Sequence, residues 1–192
     1  MEYVELLEAI MDRGHEIRGT KELMGVNLSV GENCLHDFGD VRPFKSTLKY
    51  LQKEICWYLA GDRSAGRISE HAGLWDKIKN SDGTINSNYG FLVFYNLIPH
   101  PSLNVPMYTP FEWAARSLER DKNTRQGMVT YNTGGFNFEG NKDYICSQHQ
   151  AFYIRSDSLL CFVALRSSDA IYGLTYNMHW WQLVYLQMSG LQ

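Results

Sequence analysis

The chain has 192 residues, 44% of them hydrophobic, a formal net charge of -3 and four cysteines. That length and apolar content suffice for one ordinary domain with a buried core and call for no second one. The acidic balance excludes a general nucleic-acid coat, because binding by phosphate neutralisation needs a clustered basic surface. Met1-Glu2-Tyr3-Val4-Glu5 lacks the basic and apolar blocks of a signal peptide, and no window approaches the roughly 18 apolar residues of a membrane span. A soluble, cytoplasmic protein that binds neither membrane nor DNA is expected. Cys34, Cys56, Cys146 and Cys161 show no CxxC or other metal-ligand spacing, so free thiols and no metal are expected.

In chain order, Val4 to Met11 has helical apolar spacing, and Arg18-Gly19-Thr20 is a flexible basic turn. Leu23, Val26, Leu28 and Val30 predict a strand over Glu22 to Val30. Phe44 to Leu59 predicts a buried helix closed by Gly61-Asp62. Ser81 to Pro110 contains Pro99, Pro101 and Pro106 with the turn signals Asp82-Gly83 and Tyr89-Gly90, which predicts a long loop with short elements. A helix from Thr109 to Arg120 follows, then a strand from Gly127 to Tyr131, a loop from Gly134 to Asn141 and a strand from Tyr144 to Ile154. Tyr153-Ile154 and Leu160 to Val163 flank Ser156-Asp157-Ser158, a hairpin signal. Ile171 to Met188 is apolar on nearly every face and predicts a central helix.

The chemistry concentrates between Cys146 and Asn177. Cys146 follows a glycine and asparagine loop and precedes Ser147-Gln148-His149-Gln150, which suits a thiol at an accessible strand end. A lone cysteine is more often a small buried apolar group. Antiparallel pairing across the Asp157 turn brings Arg166 toward Cys146, where a guanidinium lowers a thiol pKa and can hold phosphate; the alternative is a surface arginine. Spacing alone favours Asp169 and Ser167 as caps for the following helix. Asn177, inside an apolar helix, either satisfies backbone or reads a ligand with matching donor and acceptor, as uracil N3-H and O4 present.

Cys146 followed by Arg166-Ser167-Ser168-Asp169-Ala170-Ile171-Tyr172-Gly173-Leu174-Thr175-Tyr176-Asn177 resembles the active-site pattern of the thymidylate synthase superfamily, which includes the pyrimidine nucleotide hydroxymethylases. Upstream, Lys53 to Asp62 resembles the family's glutamate-bearing helix, Leu74-Trp75-Asp76 its folate-side tryptophan motif and Asn88-Tyr89-Gly90 its tyrosine turn. Asn123-Thr124-Arg125 resembles the segment donated across the dimer, and Arg18-Gly19-Thr20 the N-terminal phosphate loop. The resemblance covers nearly the whole chain.

It implies an α/β (α+β) fold in which a large mixed sheet packs on the long helices and dimerises through its other face. Residues 1-192 would form a single thymidylate synthase-like domain. The implied activity is transfer of a one-carbon unit from 5,10-methylenetetrahydrofolate to C5 of dUMP. Cys146 would attack C6, with Glu54 and Tyr89 managing protons. Arg18, Arg166, Ser167 and Arg125 of a partner subunit would bind phosphate, Asn177 would read the base, and Trp75, Asp169 and Gly173 would hold the folate.

Several positions depart from the pattern: Ser147 replaces a histidine, Gln126 an arginine, Ile78 a tryptophan, and Thr175-Tyr176 the usual Pro-Phe. They point to a divergent branch, a viral one being an option. The family continues beyond the helix ending near Met188 into a His-x-Tyr ribose contact and a closing C-terminal segment, so the usual C-terminal portion is expected to be missing. Two further possibilities stay open, a dUMP or dCMP hydroxymethylase and a truncated, non-catalytic paralogue that binds nucleotide, folate or a partner.

Overall fold

The structure is a computed structural model that describes residues 3–31, 44–99, 101–102 and 106–191. Cys34 lies outside the described residues. Helix α1 (Tyr3–Arg13) buries Tyr3, Leu6 and Ala9, one stripe at helical spacing. Strands β1 (His15–Ile17) and β2 (Thr20–Glu22) form a short antiparallel hairpin in which Ile17 pairs with Thr20. The connecting Arg18 and Gly19 have φ of 51° and 79°, the left-handed pair that a two-residue hairpin turn requires. The strand expected over Glu22 to Val30 is not formed: after Glu22 the chain is irregular. Val26 and Leu28 pack against the core, but no neighbouring strand pairs with this segment among the described residues. Alternating apolar residues can cover a core without a ladder.

Helix α2 (Phe44–Ala60) turns Leu51, Glu54, Trp57 and Tyr58 into the interior. Two short helices that the sequence did not disclose follow, α3 (Ala65–Ser69) and α4 (Leu74–Ile78). With five residues each they are too short to display a helical period. The next stretch is largely irregular, as expected. It holds a π-helical turn at Phe91–Tyr95 and the small hairpin of β3 (Ile98–Pro99) and β4 (Pro106–Tyr108). Helix α5 (Pro110–Arg120) starts with a full capping box: Glu112 N–H donates to Thr109 Oγ1 at 3.2 Å and Thr109 N–H donates to Glu112 Oε2 at 2.9 Å. The two bonds satisfy otherwise orphaned amides reciprocally and set the helix start.

Strands β5 (Met128–Thr130), β6 (Ser147–Arg155) and β7 (Ser158–Leu165) form an antiparallel sheet in that order. The β6–β7 turn is Ser156-Asp157, both with positive φ, and Arg155 pairs with Ser158. The mixed α/β class is as expected. The sheet differs from the large mixed one anticipated, because the largest sheet among the described residues has three antiparallel strands.

Helix α6 (Gly173–Ser189) buries Met178, Trp180, Trp181, Val184 and Met188. Polar bonds stitch it to the sheet: Gln150 Nε2 donates to Trp181 O at 2.9 Å and Tyr185 OH to Leu159 O at 3.2 Å. Tyr131 OH donates to Gln150 Oε1 at 2.8 Å and receives Trp180 Nε1 at 3.2 Å. At the centre Tyr58, Tyr89, Tyr131 and Trp180 pack ring on ring, with centroids 5.0 to 5.6 Å apart. Such pairs add to the area they bury. Among the described residues no helix is long and apolar enough to cross a membrane.

Candidate active site

The ladder between β6 and β7 ends with Ser147 opposite Leu165. Continuing that register, Arg166 N–H donates to Cys146 O at 3.0 Å. The Arg166 side chain is held by backbone: Nη2 donates to Tyr144 O at 2.6 Å, Nε donates to Ile145 O at 3.1 Å, and the guanidinium lies 4.8 Å from the Tyr144 ring centroid. This geometry leaves Nη2 3.6 Å from Cys146 Sγ. Burial pushes the Cys146 thiol up, the Arg166 cation opposes that, and the Asp143 carboxylate adds to it. Burial thus favours the thiol form, beside the charge that would stabilise its thiolate.

Tyr89 is buried and reaches the same strand end, where its hydroxyl and Ser147 Oγ share a hydrogen bond of 3.2 Å. The turn carrying it is anchored on both sides. Asn88 Nδ2 donates to Trp57 O at 3.3 Å and Asp62 O at 3.0 Å, while Asn88 Oδ1 accepts from Phe91 N–H at 2.8 Å. Ser87 binds Asp143 through both N–H and hydroxyl, at 2.8 and 2.7 Å. Burial keeps the Tyr89 phenol well above its ordinary value, so it is a neutral group able to donate or relay a proton.

Glu54 is 5% exposed and its Oε1 accepts from Tyr50 OH at 3.2 Å and Tyr58 OH at 3.3 Å. Burial pushes its carboxyl up to about 7, with the two phenol bonds pulling the other way. A carboxyl in that range can take or give a proton near neutrality. Trp75 Nε1 donates to Tyr50 OH at 2.8 Å, and Tyr58 stacks on Tyr89 at 5.6 Å. The acid is thereby joined to the tyrosine at the thiol end. Tyr50, Tyr58 and Asp143 were not singled out from the sequence. Tyr50, Glu54 and Tyr58 stand four residues apart, so their shared helix face was a legible signal; nothing local pairs Asp143 with Ser87.

Asp169 serves as a cap in the structure: Oδ1 accepts from Ile171 N–H at 2.8 Å and Tyr172 N–H at 2.7 Å. Its Oδ2 has no hydrogen-bond partner among the described residues. Tyr3 OH donates to Ala170 O at 2.8 Å and pins this turn to α1. A Cβ at Gly173 would meet Asp169 Cβ at 3.5 Å, an ordinary contact, so internal packing does not demand the glycine. Ser167 is exposed, and Asn177 is half-buried on α6. Arg18 and Arg125 are both exposed, and neither is bonded to Cys146 or Arg166. A surface depression of about 180 Å³ lies between α2 and α3, lined by Lys53, Cys56, Trp57, Arg67, Ile68 and His71 among others. None of the expected site residues lines it.

A cysteine at a strand end, an arginine beside it and a buried acid–phenol cluster behind it are the kinds of group that nucleophilic thiol chemistry uses. Residues 1–189 match the family model described as thymidylate synthase, and the chain belongs to that family. Among its relatives, the deoxycytidylate 5-hydroxymethyltransferases of Enterobacteria phages T4 and T2 are each 25% identical over 141 residues, 71% of this chain and 54% of theirs. The chain thus spans about half the length of the curated relatives it matches. Among solved structures, thermostable thymidylate synthase A from Bacillus subtilis shares the fold, with a TM-score of 0.52 and 19% identity over 72% of this chain and 48% of that one.

Proposed function

We propose that this chain transfers a one-carbon unit from 5,10-methylenetetrahydrofolate to C5 of dUMP through a covalent bond between Cys146 and C6 of the base. The observation that carries this reading is the Cys146 Sγ to Arg166 Nη2 distance of 3.6 Å, in a chain belonging to the thymidylate synthase family. Addition of the thiolate to C6 moves electron density to C5 and makes it a nucleophile. C5 would then take the one-carbon unit as its bond to the folate breaks, hydride from the folate completing a methyl group or water a hydroxymethyl group, while loss of the C5 proton and departure of the thiolate restore the ring. Splitting one difficult substitution into these steps is what covalent catalysis provides.

Arg166 supports the thiolate and, with Arg18, Ser167 and Arg125 of a partner subunit, would hold the phosphate; guanidinium groups suit that anion. Tyr89 is the candidate for moving the C5 proton, and Glu54 for proton traffic at the pyrimidine carbonyl. The folate supplies the one-carbon unit when bound. The residues fit its pterin, because Asp169 Oδ2 has no partner among the described residues and Gly173 presents no side chain beside it. Trp75, fixed by its bond to Tyr50, would form the apolar wall. The homodimer and a cytoplasmic setting belong to the same proposal.

Asn177 supports uracil over cytosine. It is half-buried on α6, and an amide can accept from N3-H and donate to O4 together. The names of the phage relatives and Ser147, where the family carries histidine, favour a second reading: hydroxymethylation of dUMP or dCMP. Dihydrofolate formation marks methylation, and its absence alongside a hydroxymethylated product marks the alternative. The deciding experiment is capture of a covalent complex by 5-fluoro-dUMP with methylenetetrahydrofolate. Capture lost in Cys146→Ala supports the proposal; no capture by the wild-type chain favours a non-catalytic binding role.

A further inference from the structure

The loop that delivers Cys146 is tied to the turn that delivers Tyr89 by one buried carboxylate. Asp143 is 6% exposed, and no Lys, Arg or His lies within ion-pair distance of it among the described residues. Its Oδ2 accepts Ser87 N–H at 2.8 Å and its Oδ1 accepts Ser87 Oγ–H at 2.7 Å. The surrounding backbone is bonded in register with it. Asp143 N–H donates to Asn141 Oδ1 at 2.9 Å, and Asn86 Nδ2 donates to Asn141 Oδ1 at 3.1 Å and Asp143 O at 3.3 Å. Arg63, the cation of this network, donates through Nη2 to Asn86 Oδ1 at 3.3 Å and through Nε to Ile85 O at 3.1 Å.

A buried charge without a cation is costly, and a neutral side chain could have joined the same two segments at lower cost. What the carboxylate adds is a forked acceptor that fixes both position and angle of Ser87, two residues before Tyr89. On the other arm, Asp143 precedes Cys146 by three residues. The arms meet again where Ser147 and Tyr89 share their 3.2 Å bond. Breaking the fork would let the thiol strand and the tyrosine turn slide against each other.

We propose that Asp143 is a positioning residue: through its two bonds to Ser87 it clamps the Cys146 loop onto the Tyr89 turn and sets the thiol–phenol register used in the reaction. The proposal rests on the roles assigned above to Cys146 and Tyr89. The charged and titratable groups about the thiol are Arg166 after β7, Asp143 on its own loop and Tyr89 from the facing turn. Removing the Asp143 charge therefore leaves the Arg166 cation less opposed.

The test uses the full chain carrying Asp143→Asn or Ser87→Ala, with folding checked by circular dichroism. Iodoacetamide alkylation of Cys146 is followed across pH and separated from the other cysteines by peptide mass. In Asp143→Asn the alkylation profile moves to lower pH, and kcat with dUMP falls roughly ten- to a hundredfold while KM changes by no more than about twofold. In Ser87→Ala the charge stays, so the profile keeps its midpoint. Its limiting alkylation rate rises as the loop loosens, and kcat falls in the same way. Variants that lose thermal stability yet keep the wild-type alkylation profile, limiting rate and kcat overturn the proposal and leave Asp143 a structural residue. If Asp143→Asn does not fold, Ser87→Ala decides alone by the same criteria. If the wild-type chain captures no 5-fluoro-dUMP, the activity reading fails, and alkylation by itself still decides the clamp.

Discussion

The backbone carbonyl of Tyr58 lies where a Cβ on Gly90 would stand. Tyr58 is near the end of α2, and its carbonyl also accepts Gly61 N–H at 3.0 Å, so it cannot retreat without opening the helix end. The tyrosine turn is seated directly on the helix that carries Glu54. Gly90→Ala is expected to destabilise the protein by roughly 3 kcal/mol or more, read from the denaturant midpoint. An unchanged midpoint would show that the close approach is not needed.

Arg166 is the cation beside the thiol, and a cation favours the thiolate. Arg166→Gln is therefore expected to move Cys146 alkylation to higher pH, opposite in direction to the Asp143→Asn effect. Arg166→Lys should shift it less, because a flexible ammonium keeps charge without the fork that binds Tyr144 O and Ile145 O. Coincident profiles for Arg166→Gln and wild type would dismiss Arg166 as an electrostatic partner.

Glu54 makes stability fall with rising pH. Its carboxyl ionises at about 7 in the folded chain against a reference of 4.5, so between those values the folded state holds a proton the unfolded chain has released. Stability is lost as pH rises through that window, by on the order of 3 kcal/mol. Glu54→Gln, which cannot titrate, should flatten this slope while turnover drops by roughly 10²-fold or more. Urea unfolding of both proteins at a series of pH values provides the measurement.

Asn177 is expected to set the base. Asn177→Asp should transfer preference from dUMP toward dCMP by roughly a hundredfold or more in the ratio of kcat/KM values, because a protonated carboxyl or carboxylate matches the cytosine edge differently from an amide. Wild-type turnover of dCMP with none of dUMP would sink the assignment.

Much of this architecture was legible along the chain. The apolar stripe of α2, the helix from Thr109 to Arg120, the Ser156-Asp157 hairpin and the apolar α6 are set by neighbours within a few residues, and each appears close to where spacing predicts it. Leu23 to Val30 misled because alternation shows which residues seek burial, not whether a strand lies alongside. α3 and α4 were missed because five residues contain little more than one helical turn. The Arg166 to Asn177 cluster was legible as a pattern, and one member has a plain local use: Asp169 caps the turn before α6.

The sequence by itself determined which chemical groups are present and in what local order: a thiol, a cation, a carboxylate and an amide, at the spacing of the thymidylate synthase family. Only the tertiary structure decided what those groups feel. Cys146 and Arg166 stand 20 residues apart, yet a β ladder brings them to 3.6 Å. Ser87 and Asp143 are 56 residues apart and bonded twice. The carboxyl of Glu54 is an ordinary acid in the sequence and a near-neutral one in the fold. Periodicity and capping are properties of nearby residues, whereas burial, register and the field of a distant charge exist only once the chain has closed on itself.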